Sequence, residues 1–418
     1  MFTQITLKNY RTHKLTTIEL SPITLLIGNN NSGKSNLLMG IQHFCKLVRR
    51  GRPGNIHKPI VNAHWDLYPH RYRLASDGEP MGFVIRWNNS SGNISYKMEL
   101  CQSNKFPESC ICKEKIVIKL NNKEETTLYS GHDQPTNLIA LRQEIENNKS
   151  LEPSQKKLCR DFFGDFANTF SYHFQPDFLK GMVIATQNID REDIDNEIGK
   201  DNFRITSELG STGAGLQNVI RYIKDNEERI FTRFTALLRQ FEINFQGVRY
   251  NEKISKLIWE FDLGRKGKVE EFPPDCVSDG FMKAAAISLL ASLFRPPTLI
   301  LLEEIENGIN PGNIQELMRW IWQMTSPTSE GFTTQFIITS HSPSVLREFH
   351  EHLDHVYTVR LQKRDRTSDV RNLNTSLDTL VGIGTVEGEI IEDPITGKRT
   401  VDIPKYQLAE LWYSGTIG

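Results

Sequence analysis

One stretch limits the folds open to this chain more than any other: Gly28-Asn29-Asn30-Asn31-Ser32-Gly33-Lys34-Ser35. The pattern G-x-x-x-x-G-K-S works only between a strand and a helix, where its backbone N–H groups can turn inward around an anion. Both flanks fit. Ile23 to Ile27 is an unbroken apolar run entering the loop, and beyond it Leu37, Leu38, Ile41, Phe44 and Cys45 recur at spacings of three and four, the mark of one buried helix face. The helix N-terminus adds partial positive charge where phosphate must sit. Lys34 is expected to reach the β- and γ-phosphates of a nucleotide, and the Ser35 hydroxyl to ligate Mg²⁺. Asn36 completes the expected ATP-binding set, and the fold class expected is α/β.

Three further stretches supply chemistry that such a loop lacks. Thr298-Leu299-Ile300-Leu301-Leu302-Glu303-Glu304 reads as a fully buried strand followed by two carboxylates. Acids at the C-terminal end of a strand emerge in the crevice where open α/β sheets bind ligands. One can hold Mg²⁺ and the other can polarise an attacking water, so Glu303 is assigned to the metal and Glu304 to the base. An isolated E-E-x-E would ordinarily be a solvated acidic turn. Here Asn307, Gly308, Asn310 and Pro311 complete a turn into a helix carrying Ile314, Leu317, Met318 and Ile321. Gln335 to Pro343 is a second short apolar strand ending in polar residues, which would place His341 beside the γ-phosphate, with Ser342 and Pro343 starting the next helix. Ser278-Asp279-Gly280 precedes the apolar helix Met282 to Phe294. Alone it is a capping turn, but a serine and a glycine at a helix start also suit an anion.

Together these residues resemble the ABC-type ATPase heads of the RecF, SMC and OLD group. The likeness covers Met1 to Phe44, including Phe2-Thr3-Gln4-Ile5-Thr6-Leu7-Lys8-Asn9-Tyr10-Arg11, and Asp275 to about Tyr357. It implies an ABC-type P-loop ATPase head with a mixed α+β insertion between N- and C-terminal lobes. It also implies that Ser278, Asp279 and Gly280 are a signature motif reading the γ-phosphate of ATP held by the opposing subunit of a homodimer. Glu306-Asn307-Gly308 would be the D-loop crossing that interface, and His341 the switch histidine. Two departures stand out: Glu303 replaces the usual aspartate, and S-D-G replaces S-G-G. The longer glutamate points to slow hydrolysis. Leu209 to Ile220 and Tyr406 to Gly415 are similar to stretches of stand-alone RecF/OLD-like ATPases, which often serve bacterial anti-phage systems. The resemblance therefore implies an ATP-dependent homodimeric regulator of a separate nuclease or toxin effector, with DNA as a further partner. The other reading it allows is a RecF-like repair ATPase that clamps DNA. The stretch after His341 holds no acidic D-x-D pair, so a TOPRIM-type nuclease domain is not expected in it.

The middle of the chain is less explicit. The expected division is 1–45 for the N-terminal lobe, 46–274 for an insertion and helical region, and 275–418 for the C-terminal lobe. At 418 residues the chain exceeds the roughly 250 to 300 at which single cores stop growing. Phe83 to Trp87 and Ile94 to Leu100 predict a β-hairpin around Asn88 to Asn93, and Ile116 to Leu120 another strand. Leu138 to Phe163 predicts a helix pair interrupted at Pro153. No sustained heptads predict a coiled-coil arm. Gln187, after Met182 to Ala185, is the candidate for a metal-contacting glutamine. A net charge of −1 excludes a polycation, although Lys46 to Arg52 and Arg360 to Arg371 are locally basic. Cys101, Cys110 and Cys112 lack the paired spacing of structural zinc sites. No signal peptide and no 18-residue apolar run are visible, so a cytoplasmic protein without a membrane partner is expected.

Overall fold

The computed structural model describes residues 1–50, 61–104, 107–121, 123–130, 145–182, 205–206, 208–264 and 268–417. The class is α/β, and the chain separates into two units, Met1–Thr169 with His350–Gly418, and Phe170–Phe349.

The first unit opens with strands β1 (Phe2–Tyr10), β2 (His13–Glu19) and β3 (Ile23–Ile27) and helix α1 (Lys34–Arg50). Strands β4 (Met81–Asn89), β5 (Gly92–Gln102), β6 (Cys110–Leu120) and β7 (Thr126–Ser130) and helix α2 (Pro153–Ala167) follow. A six-stranded antiparallel sheet runs in the order β2-β1-β4-β5-β6-β7. Alternation explains its one-sided core: Ile94, Tyr96, Met98 and Leu100 are buried along β5 while their neighbours are at least partly exposed. Phe44 of α1 stacks on Phe83 with centroids 5.2 Å apart, and meets Phe166 of α2 edge-on at 5.5 Å. The Trp87 indole donates to Asp165 Oδ2 at 2.6 Å, so the largest side chain of β4 is fixed at both its apolar and its polar end.

The predicted hairpin exists but is tighter than its sequence suggests. Asn89 pairs with Gly92, leaving only Ser90 and Ser91 between the strands. Asn89 Oδ1 accepts from the N–H groups of both Ser91 and Gly92, giving a side-chain turn that the run of polar residues concealed. Helix α2 starts at Pro153, with Glu152 and Gln155 forming a reciprocal cap. Residues 145–147 are helical and α2 begins at Pro153 after a break, in keeping with a helix pair interrupted there; residues 138–144 of the predicted pair lie outside the described residues.

The C-terminal part of this unit contains β14 (Val356–Leu361), β15 (Ser368–Asn372), α9 (Leu373–Gly382), β16 (Glu389–Glu392), β17 (Arg399–Asp402) and α10 (Lys405–Tyr413). Strand β3, buried along its whole length, runs parallel to β14, and β15 returns antiparallel to β14.

The second unit begins with β8 (Thr169–Tyr172), whose first residue closes the first unit, and the one-turn helix α3 (Pro176–Leu179). Helices α4 (Leu216–Asn226) and α5 (Glu228–Phe241) lead to strands β9 (Phe245–Asn251), β10 (Lys256–Asp262) and β11 (Val269–Phe272). Helix α6 (Asp279–Ser292), strand β12 (Leu299–Leu302), helix α7 (Ile314–Met324), strand β13 (Gln335–Ser340) and helix α8 (Pro343–Arg347) complete it. Within this unit the strands lie in the order β13-β12-β8, and β12 runs parallel to β13 with Leu299 opposite Gln335. Both strands are buried throughout, as their continuous apolar runs require. Helix α6 is buried on almost every side, whereas α7 buries the face Ile314, Leu317, Met318 and Ile321 that its spacing predicts. Among the described residues no helix is long and apolar enough to cross a membrane.

Candidate functional site

The first unit positions the phosphate loop. Strand β3 ends at Ile27, α1 starts at Lys34, and the intervening backbone turns on Asn31 at φ +62° and Gly33 at φ +110°. Glycine is required twice. A Cβ on Gly28 would lie 2.1 Å from the Val359 carbonyl oxygen of β14, and one on Gly33 would lie 1.9 Å from Ser368 Oγ. Lys34 is 4 % exposed, and its amine donates to the carbonyls of Gly28 at 2.7 Å and Asn29 at 3.0 Å. The lysine therefore folds back on its own loop, its amine held by loop carbonyls. Ser35 stands exposed at the start of α1, and the buried Ser32 hydroxyl has no hydrogen-bond partner among the described residues. An unpaired hydroxyl in a glycine-rich loop at a helix N-terminus is suited to a phosphate oxygen.

Three residues outside the motif brace this loop. Ser368 donates to the Ser32 carbonyl and accepts from the Thr12 hydroxyl, each at 2.7 Å, and the Thr12 oxygen in turn accepts from Asn36 Nδ2 at 3.0 Å. His13, completely buried, has Nε2 3.0 Å from the Gly33 carbonyl and Nδ1 2.9 Å from Thr16 Oγ1. A carbonyl only accepts, so Nε2 carries the proton and Nδ1 accepts from the threonine. Burial lowers the His13 pKa to about 4, only partly offset by the bond to Gly33, which keeps the ring neutral in this tautomer. Thr12, His13 and Ser368 carry no local signal in the sequence.

The second unit assembles the carboxylate set. Glu303 and Glu304 follow β12, and His341 follows the parallel neighbour β13, so all three leave the same edge of the strands. His341 Nε2 is 3.7 Å from Glu304 Oε1, bringing together two residues that the sequence reading had assigned to base and switch. Glu304 sits at φ +48°, a left-handed backbone unusual for a glutamate. Its N–H donates to Thr339 Oγ1 at 2.9 Å, and its Oε2 accepts from Asn307 Nδ2 at 2.7 Å. Glu306 Oε1 accepts the His341 backbone N–H at 2.5 Å. The turn from Glu304 to Gly308 is thereby pinned to β13 from both sides. Glu303 Oε2 lies 3.7 Å from Nδ1 of His173, the residue just beyond β8, and the Glu303 N–H donates to the Tyr172 carbonyl at 2.9 Å. The sequence reading missed His173, whose only local cue is its place one residue after a short aromatic strand. Gln187 lies outside the described residues.

Ser278 caps α6, its Oγ accepting from the Phe281 N–H at 3.3 Å, and the Ser278 and Asp279 side chains are exposed. The Asp279 carboxylate meets Lys180 Nζ at 2.6 Å, so a cation neutralises the aspartate that replaces the usual glycine. A Cβ on Gly280 would lie 2.4 Å from the Gly308 carbonyl oxygen; only glycine lets the start of α6 touch the turn after Glu304. Lys283, 3 % exposed, donates from Nζ to the carbonyls of Glu304 at 2.5 Å and Asn307 at 3.2 Å. Burial lowers its pKa to about 8 against the opposing pull of Glu306 and Glu304.

Among solved structures, the chain is similar to an SMC head bound to the C-winged helix domain of ScpA, with a TM-score of 0.46 and 13% identity over 90% of this chain and 99% of that one. It is also similar to the SMC head domain from Thermotoga maritima, with a TM-score of 0.39 and 14% identity over 89% and 98% of the two chains. A third likeness is to an Smc head domain with an extended coiled coil bound to the C-terminal domain of ScpA derived from Pyrococcus furiosus, with a TM-score of 0.40 and 14% identity over 91% and 99%. No curated protein matches in sequence. A family model matches residues 23–347, from the first residue of β3 to the last of α8, and so takes in the glycine-rich loop, the turn at Ser278 to Gly280, the paired glutamates and His341. The chain therefore belongs to the family described as "AAA domain, putative AbiEii toxin, Type IV TA system".

Proposed function

We propose that this chain binds and hydrolyses ATP as an ABC-type homodimer, and that its nucleotide state controls a separate nuclease or toxin in a bacterial anti-phage system. The observation that carries the catalytic part is the pairing of Glu304 with His341 at the ends of two adjacent parallel strands. A carboxylate fixed beside a histidine, and held there by Asn307 and Thr339, is built to take a proton from water. ATP is the substrate, held by residues 28–36 with Lys34 on the β- and γ-phosphates. Ser35 and Glu303 would hold Mg²⁺, which when bound neutralises charge on the phosphates. Glu304 accepts the proton of the attacking water, and His341 donates to the γ-phosphate oxygens. Ser278, Asp279 and Gly280 act on the nucleotide of the other subunit, with Glu306, Asn307 and Gly308 crossing between copies. ATP thus joins the two chains, and hydrolysis releases them.

The description of the family, which names a putative AbiEii toxin of a type IV toxin–antitoxin system, supports a toxin–antitoxin setting; control of a separate effector is our proposal within it. Phosphate release measured on the wild type, Lys34→Ala and Glu304→Gln tests the enzyme reading: only the wild type should turn over in Mg²⁺. Capture of partners from native cells by Glu304→Gln with ATP tests the rest. Recovery of a nuclease or toxin supports the regulator, whereas recovery of DNA alone would favour a RecF-like clamp.

A further inference from the structure

We propose that Lys283 is a positioning residue for hydrolysis: its amine ties helix α6, which begins with the signature turn, to the backbone of the turn that aims Glu304. The inference rests on the ATPase reading above and deepens it.

A lysine amine has three donors and is strongly hydrated, so burying it is unfavourable unless the fold supplies acceptors. Here the acceptors are two backbone carbonyls, those of Glu304 and Asn307, which bracket the turn. Glu306 lies within the same turn, and with Glu304 it is the carboxylate whose charge acts on the amine. No ion pair of Lys283 within 4 Å occurs among the described residues, so the contact is to the main chain. The turn needs such a hold. Glu304 has a left-handed backbone that persists only where surrounding contacts enforce it, and its carboxylate direction follows from that backbone. Lys283 holds both ends of the turn, while the close approach of Gly280 to the Gly308 carbonyl leaves no slack between α6 and the turn. A displacement of Ser278 or Asp279 by a phosphate is therefore transmitted along the first turns of a rigid, buried helix to the carbonyl of Glu304. The occupancy of one signature turn is thereby coupled to the aim of the base in the same chain.

The test is steady-state hydrolysis by the full chain with ATP and Mg²⁺, comparing wild type, Lys283→Met and Lys283→Arg, with thermal melts of each. Methionine keeps the volume and apolar stem but removes every donor; arginine restores donors. The expected result is a fall in kcat of at least tenfold for Lys283→Met with KM for ATP within threefold, an unchanged cooperative melt, and recovery of most of kcat in Lys283→Arg. Should the Met variant fail to fold, Lys283→Gln replaces it: its shorter amide cannot reach both carbonyls, and kcat at least tenfold below that of Lys283→Arg is expected. A wild-type kcat in the Met or Gln variant overturns the positioning role while leaving the ATPase reading intact. Losses of kcat that follow the melting temperature, with no rescue by arginine, overturn it in favour of a purely structural lysine. A wild type that does not hydrolyse ATP overturns the reading beneath both.

Discussion

Replacing Gly33 with alanine should disable the phosphate loop without unfolding the chain, and the structure sets the size of the effect. The added Cβ would lie 1.9 Å from Ser368 Oγ and 2.8 Å from Thr12 Oγ1. Ser368 must turn away and give up its bonds to the Ser32 carbonyl and to Thr12, at about 1 kcal/mol each. Gly33 also sits at φ +110°, beyond the left-handed well that alanine tolerates, which adds about 1–3 kcal/mol of strain. The sum is about 3–5 kcal/mol. The loop escapes it by distorting, because Leu37 and Leu38 keep α1 anchored in the core. Nucleotide affinity should then fall by at least ~100-fold, at about 1.4 kcal/mol per tenfold. Titration of ATP by calorimetry, with circular dichroism to confirm the fold, measures this. Adding Ser368→Gly relieves the 1.9 Å contact but forfeits the same two bonds and leaves both the strain and the 2.8 Å approach to Thr12, so the double variant should bind within about threefold of Gly33→Ala and well below wild type. Binding by Gly33→Ala within threefold of wild type would refute the reasoning.

Other outcomes follow from the same geometry. Lys34→Ala should lose ATP binding in the same titration while keeping its circular dichroism, since the lysine's amine donates to carbonyls of the loop itself. Ser278→Arg should leave ATP binding by the monomer intact yet abolish ATP-dependent dimerisation in light scattering, because the Ser278 side chain is exposed and in the proposed dimer would act on the other subunit's nucleotide. Acid should weaken the first unit through His13. Its folded pKa of about 4 lies below the ordinary 6.5, so the unfolded chain binds more protons between those values. Stability is therefore full above about pH 6.5 and is lost as pH falls toward 4, by up to about 3 kcal/mol. Denaturant melts at pH 7 and pH 5 should show the loss, and His13→Gln should reduce it; an undiminished pH slope in that variant would contradict the assignment.

The parts legible in the sequence were those whose physics is local. Ile23 to Ile27 and Leu299 to Leu302 announced themselves as buried strands because a strand covered on both faces must be apolar at every position. The helix face of Ile314, Leu317, Met318 and Ile321 was readable from its period alone. The hairpin of β4 and β5 was readable in its strands but not in its turn, where Asn89 rather than glycine does the closing. The bracing of the site was not legible, because it depends on contacts between distant positions. Ser368 meets Ser32 across 336 residues, Lys180 meets Asp279, and His173 meets Glu303 only because β8 lies next to β12. No spacing rule carries that information. Lys283 was hidden for a different reason: inside an apolar helix pattern it reads as an outward-facing charge, and only the turn after Glu304 gives it partners.

The measurement that bears most directly on the central claim is the mass in solution of Glu304→Gln by light scattering, with and without ATP and Mg²⁺. The substitution keeps the shape of the Glu304 side chain and its acceptor for Asn307 but removes the base, so bound ATP persists. The account predicts a monomer without nucleotide and a stable dimer of this 48.0 kDa chain with it. A mass that does not change with ATP would contradict it.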